Sequence, residues 1–562
     1  MVLINKKQKI LSVTIIIVSA ILLILPQLLF KSMVIKSDSI FHFNRFYDTA
    51  MQIKTGNFQY FIHMYSFQQS GRIVNALYGP LMAYFQGLLV LISPSWFFYQ
   101  ILSNFVLYLV AGFSMFRYLV FSSKKMEVAI CTSIIFMTTF SIQYWIVRQG
   151  FSSWGAAIMP LCLIPIIQFQ KSNKFNSLQV GFLIALITQV HLVSAAIIVL
   201  IYFVYFLVMF FHKQSRKLEL IFSVSCSVLF FLVLTSNIWY SLFTIYKDNN
   251  IIPPFVNKTM YLNTITANSY YWLINPLSLV LFIGLKGYYD FKFWKRYDSF
   301  DKIMSFLLWF FLLLSTNIVP WKFLSKNNIL GVNIIQFPFR FFVPFTVLLL
   351  ISISKIVNEN HYFFEKKYRY KLIAFFSIIQ GICLISFTCL QWRSDIPITP
   401  TKHEFIYTTD FKKLKQSFFS KDKRDSLKIV QKSTPDYLPR SKNDIGNPYG
   451  KYKKYIIEMN PNFKKYVEGG SLVTVWEGEK SKKRNIPVIL YKNTQVTYNG
   501  KNLETESLQL SSIGTPIIAD HSGQNIFKIS YNHSKSFIIM LCTTILTWGA
   551  YIVALVYKFF KR

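Results

Sequence analysis

Cysteine is sparse in this chain and none of it is spaced for pairing or for metal. The six cysteines, Cys131, Cys162, Cys226, Cys383, Cys389 and Cys542, all fall in apolar runs. No CxxC and no Cys/His cluster occurs, which excludes a disulfide scaffold and a structural zinc site. Acidic residues are also scarce: Asp and Glu total 24 against 60 Lys and Arg, a formal net charge of +36. No recognisable nucleic-acid motif accompanies that excess, so it argues against a nucleic-acid partner. The first apolar run follows Lys6, Lys7 and Lys9 but has no small-residue cleavage site after it, so it reads as a retained span. No internal repeat is visible, which counts against an inverted-repeat transporter.

What the chain has in abundance is apolar length. Of 562 residues, 53% are hydrophobic and 18% aromatic, and the mean hydropathy is +0.38. That excludes an ordinary soluble enzyme and predicts an α-helical polytopic membrane protein in the lipid bilayer. Runs long enough to cross lie near 10–30, 97–120, 127–147, 152–170, 177–191, 193–211, 218–243, 271–287, 302–319, 338–357, 371–391 and 536–557. A shorter run, 77–93, is bounded by Gly79-Pro80 and Ser93-Pro94.

Basic loops mark the cytoplasmic side of a bilayer. They occur at Lys6–Lys9, Lys124-Lys125, Lys171–Lys174, His212–Lys217, Lys292–Lys302, Lys355–Lys371 and Lys558–Arg562. All fall on one side only if 77–93 lies in the outer leaflet without crossing. The expectation is therefore about twelve transmembrane helices in the cell membrane, with both termini cytoplasmic. The outer segments are then 31–96, the turn Arg148-Gln149-Gly150, 247–270, 320–340 and 392–535. Three parts follow: a transmembrane domain over 1–391 with a large first outer loop at 31–96, an extracellular domain over 392–535, and a final helix with a basic tail over 536–562. The extracellular domain is polar and Lys-rich. Strand-prone stretches at 488–491, 495–498, 508–510 and 526–531, with turns at Asn499-Gly500 and Ser522-Gly523, predict that it is β-rich.

Chemistry concentrates just after the first run. Asp38, His42 and Arg45 stand at i, i+4 and i+7, one face of a helix. A carboxylate, an imidazole and a guanidinium at a membrane surface can deprotonate a hydroxyl and hold a phosphate. His63 and Arg72 follow in the same outer loop, as second choices lining an acceptor side.

These residues resemble a family. Asp38-x-x-x-His42-x-x-Arg45, Gly56-Asn57-Phe58, Tyr78-Gly79-Pro80-Leu81, Arg148-Gln149-Gly150, His191-Leu192, Gln336-Phe337-Pro338-Phe339-Arg340 and Asp436-Tyr437-Leu438-Pro439 are similar to the GT-C superfamily of integral-membrane glycosyltransferases. Within it the chain most resembles the bacterial membrane proteins labelled "6-pyruvoyl-tetrahydropterin synthase-related", akin to the YfhO-like group. The pterin label itself carries no expectation, since no three-histidine zinc arrangement exists. The resemblance covers nearly the whole chain. It implies a GT-C-like fold, a polyprenyl-phosphate sugar as donor, and an anionic cell-wall polymer or glycolipid as acceptor. One departure stands out: such proteins often carry Glu shortly after the Arg-Gly turn, where this chain has Ser152, Ser153 and Trp154.

The expected roles are then Asp38, assisted by His42, as catalytic base, and Arg45, Arg148, His191 and Arg340 as ligands of the donor phosphate. No cofactor is called for, and a divalent metal is left open. Two other functions compete with an inverting glycosyltransferase: a transporter or flippase of an envelope precursor, and a non-catalytic GT-C-like assembly partner.

Overall fold

The computed structural model describes residues 6–212, 217–266, 269–359, 368–441 and 446–561. The basic stretches at 213–216 and 360–367, part of the 247–270 segment at 267–268, and the extreme termini lie outside the described residues. The chain is mostly helical and divides into two compact units.

The first unit comprises 1–36, 100–231 and 256–397. Nine helices of the chain are long and apolar enough to cross a bilayer among the described residues, and all but Lys535–Phe560 fall wholly or largely in this unit. The expected twelve are reduced because three runs form shorter helices. Ser177–Val190 has 14 residues, and Ser278–Phe293 and Ser299–Leu314 have 16 each. A 16-residue helix is only about 24 Å long against a hydrocarbon core of about 30 Å. Polar and Pro positions cut these runs: His191 ends the first and Asn275-Pro276 precedes the second. Helix Lys6–Phe30 packs on Tyr368–Arg393 and on Met126–Thr138. Close approach to Lys6–Phe30 requires glycine, since a Cβ on Gly381 would stand 2.9 Å from Leu23, and one on Gly112, in Trp96–Phe121, would stand 2.7 Å from Ile16. A buried amide chain adds direction: Asn104 Nδ2 donates to Gln27 Oε1 at 2.9 Å, and Gln100 Oε1 accepts from both Gln27 and the Val34 N–H.

The second unit comprises 37–99, 232–255 and 398–562. Most of the segments 31–96 and 392–535, from residues 37 and 398 on, thus fall within one unit. The reason is a shared core. Tyr60, Phe61, Ile73 and Leu77 from the first loop, and Ile245 and Ile251, pack with Leu472, Trp476, Val496, Phe527 and Ile529. The scaffold is a five-stranded antiparallel sheet in the order Lys464–Glu468, Ser471–Gly478, Gly523–Tyr531, Thr494–Tyr498, Lys501–Leu503. Asn499 and Gly500, at φ 47° and 83°, form the tight turn that their residue types favour. A three-stranded sheet (Lys483–Asn485, Pro516–Ala519, Gln509–Leu510) and a two-stranded ladder (Glu404–Ile406 with Val430–Lys432) complete it.

Of the predicted strands, 488–491 is not one. It is extended and buried, but the Ile489 N–H donates to the Ser70 carbonyl and the Leu490 N–H to the Gly514 carbonyl, so its two sides serve different partners and no ladder forms. The run at 77–93 becomes the 13-residue helix Pro80–Ile92, which lies against Ser39–Thr55. Gly87 is the contact point, where an added Cβ would stand 2.9 Å from the Ala50 nitrogen.

Candidate functional site

Helix Ser39–Thr55 carries the sequence-predicted trio, but not as one solvent face. Almost every residue from Ser39 to Ala50 is buried. Phe43 stacks on Trp96 with centroids 4.4 Å apart, and Thr49 Oγ1 donates to the Ala83 carbonyl at 2.8 Å. With both flanks packed, the face bearing His42 and Arg45 turns inward. His42 lies between Phe41 and Phe46, at 5.4 and 5.6 Å between centroids. Arg45 is fully buried. Its Nε donates to Asn75 Oδ1 at 2.7 Å, its Nη2 donates to the Gly79 carbonyl at 3.1 Å, and its guanidinium sits 4.3 Å from the Tyr78 ring centre. Burial lowers its pKa to about 10, so it remains charged at neutral pH. As placed, Arg45 ties the helix to 75–79 and does not face a phosphate from outside.

Asp38 is placed differently. It occupies the N-cap position without making a side-chain cap, and its side chain is 57% exposed. Lys432 Nζ lies 3.6 Å from its carboxylate and 3.5 Å from the buried Glu404, and also donates to the Ser37 carbonyl. The ladder explains this meeting, because Glu404 and Lys432 are register partners in adjacent strands. One residue away, the His403 ring stacks on Tyr449 at 3.8 Å and 16°. Burial, then Lys402 and Lys432, push the His403 imidazole below its ordinary value. Asp436 is pushed up by burial, with Arg72 pulling it down and Asp38 pushing it further up. Asp38, Lys432, Glu404, His403, Tyr449 and Asp436 thus form one polar surface cluster.

Three buried charged groups support it. Asp48, which the sequence did not single out, accepts from the Tyr65 and Ser66 N–H groups at 2.8 and 3.0 Å and from Gln52 Nε2 at 2.8 Å. His63 Nδ1 stands 3.4 Å from its carboxylate. Burial raises the Asp48 carboxyl, but His63 and these donors outweigh it and hold the group below the usual carboxylate value. Arg72 Nη1 donates to the Thr434 carbonyl and hydroxyl, and Nη2 to the Asp436 carbonyl at 2.6 Å. His63 and Arg72 are both buried and hold the loop and the 434–436 segment in place. Between them, Phe67, Gln68 and Gln69 all adopt left-handed φ of 50–58°. Lys465 stabilises that turn by donating to the Gln68, Gln69 and Pro487 carbonyls. Apart from Gln52, one turn along the same helix from Asp48, these partners depend on chain crossings that no local sequence signal announces.

In the membrane unit Arg148, His191 and Arg340 each lie beside aromatic rings. Arg148 ends helix Phe140–Arg148, where a cation suits the helix dipole, with its guanidinium 5.8 Å from the Tyr271 ring centre. Tyr144, one turn earlier, meets Phe339 at 5.7 Å and Trp272 at 5.2 Å. Arg340 follows Phe339, and its Nη1 donates to the Ile335 carbonyl at 2.9 Å. His191 is extended between two helices and its Nδ1 meets Ser194 Oγ at 2.8 Å. Arg340 lies within electrostatic reach of it. At the position of the missing Glu, Ser153 Oγ accepts from the Trp145 N–H at 3.0 Å.

Among the described residues no group of three or more His, Cys, Asp or Glu gathers to hold a metal ion, so the divalent metal that the sequence left open finds no donor set there. The chain matches no protein-family model, no curated protein and no solved structure.

Proposed function

We propose that this chain is a membrane glycosyltransferase that moves a sugar from a polyprenyl-phosphate donor to a cell-envelope glycopolymer or lipid, with Asp38 as general base. The observation that carries this reading is the contrast along one helix. His42 and Arg45 are packed inside, while Asp38 keeps a reachable carboxylate beside the fixed cation Lys432.

In the proposed step Asp38 takes the proton of an acceptor hydroxyl. The freed oxygen forms a bond to the anomeric carbon as the bond from that carbon to the phosphate oxygen breaks, and the electron pair leaves with the phosphate. Direct displacement inverts the anomeric centre. Lys432, 3.6 Å away, positions the carboxylate. Arg148, His191 and Arg340 belong to the first unit and are proposed as phosphate-binding groups of that unit alone. Arg45 is reassigned from phosphate ligand to structural anchor. The basic loops orient the proposal, placing the termini in the cytoplasm and the β-rich unit outside.

A non-catalytic assembly role is the second reading, favoured by the burial of His42 and Arg45 and by Ser153 in place of a carboxylate. Deleting the gene and analysing envelope glycans separates the two. Under the enzyme reading a sugar substituent disappears and returns with the wild-type chain but not with Asp38→Asn. Restoration by Asp38→Asn supports the assembly role.

A further inference from the structure

A second site lies in the membrane unit, away from every residue discussed so far. A cavity of about 290 Å³ is lined by Lys286, Arg296, Tyr297, Asp301, Ser305 and Lys355, among others. Its walls come from Ser278–Phe293, Ser299–Leu314 and the last turns of the candidate span Pro338–Asn358. A 21-residue span is about 32 Å long, so a cavity at its final turn lies at headgroup level.

The charges inside are already arranged. Lys286 Nζ pairs with Asp290 and donates to Ser305 Oγ at 2.6 Å. Asp290 Oδ2 also accepts from Trp309 Nε1 at 2.7 Å. Lys355 pairs with Asp301. Glu359, a further lining residue, is within electrostatic reach of Lys124. Arg296 is the exception. It is exposed, makes no ion pair among the described residues, and rests 5.4 Å from the Phe293 ring centre.

We propose that this cavity binds a phosphate group, with Arg296 as its bidentate ligand and Lys355 behind it. A guanidinium at the mouth, aromatic walls and paired cations within suit a phosphate carried on a short polar stem. The headgroup of an anionic phospholipid and a dissolved phosphate share that chemistry.

The test uses the full chain purified in a neutral detergent, titrated with short-chain phosphatidylglycerol, with inorganic phosphate and with short-chain diacylglycerol, and read by native mass spectrometry. The proposal expects binding in at least one phosphate arm and none in the diacylglycerol arm. Arg296→Gln weakens it at least fivefold, and Lys295→Gln, an exposed neighbour outside the lining, changes it less than twofold. Binding in the phosphatidylglycerol arm alone identifies a lipid headgroup as the source, and binding of inorganic phosphate, with or without the lipid, identifies a dissolved phosphate. No binding in either phosphate arm, equal binding of diacylglycerol, or equal loss in both variants overturns the proposal.

Discussion

Arg72 and Thr434 are 362 positions apart, yet one guanidinium nitrogen of Arg72 serves both the carbonyl and the hydroxyl of Thr434. The contact is fully buried, and the other terminal nitrogen of Arg72 reaches the Asp436 carbonyl. The loop around residue 72 and a segment beside the β-rich body are thereby held as one piece.

Removing that guanidinium strands the acceptors in the interior. Arg72→Met is expected to destabilise the protein by about 2–4 kcal/mol, with Arg72→Lys intermediate because it lacks the planar fork. Thermal unfolding of the purified variants in detergent measures this. The protease sensitivity of 398–441 should rise with it.

Asp48 predicts an acid sensitivity. Its folded carboxyl sits below the ordinary value because His63, Gln52 and the Tyr65 N–H outweigh the opposing effect of burial. A depressed group contributes fully above its unfolded pKa, and the contribution is lost as pH falls through the folded value. The wild type should lose stability on acidification below the ordinary carboxylate range more steeply than Asp48→Asn. At neutral pH, Asp48→Asn should cost about 1–3 kcal/mol. Unfolding midpoints across a pH series read both effects.

Gly87 is predicted to be intolerant of any side chain. A Cβ would press on Thr49 and on the Ala50 backbone, forcing the helices Ser39–Thr55 and Pro80–Ile92 apart. Gly87→Ala should lower stability by about 1–3 kcal/mol. Gly284, with open space around it, is the control, and Gly284→Ala should leave the midpoint near that of the wild type.

Arg340 carries a prediction tied to the proposed donor. If its guanidinium holds the donor phosphate, Arg340→Gln raises KM for the polyprenyl-phosphate sugar at least fivefold and Arg340→Lys less so. Unchanged KM and kcat in both variants would remove it from the site.

Much of this architecture is legible along the chain because the signals are local. Long apolar runs report nine helices of spanning length among the described residues, and Asn499-Gly500 and the alternating 526–531 stretch report a hairpin and a strand. The losses have specific causes. The spacing of Asp38, His42 and Arg45 does not reveal that the helix begins at Ser39 with Asp38 as its N-cap, or that Trp96 and Ala83 close over it. Residues 488–491 have strand composition, yet their backbone is divided between Ser70 and Gly514. Lys432 stayed hidden because its nearness to Asp38 arises from strand pairing with Glu404. Asp48 was missed for the same reason, since its donors belong to a loop seventeen or eighteen residues on.

The most direct test is the transfer rate of purified Asp38→Asn in lipid bilayers, supplied with a polyprenyl-phosphate sugar and envelope acceptor. Asp38 is exposed and caps nothing, so the variant should unfold at the wild-type temperature while transfer falls by about 10²-fold or more, the usual loss on removing a general base. A rate within twofold of wild type, at equal stability, would contradict the account.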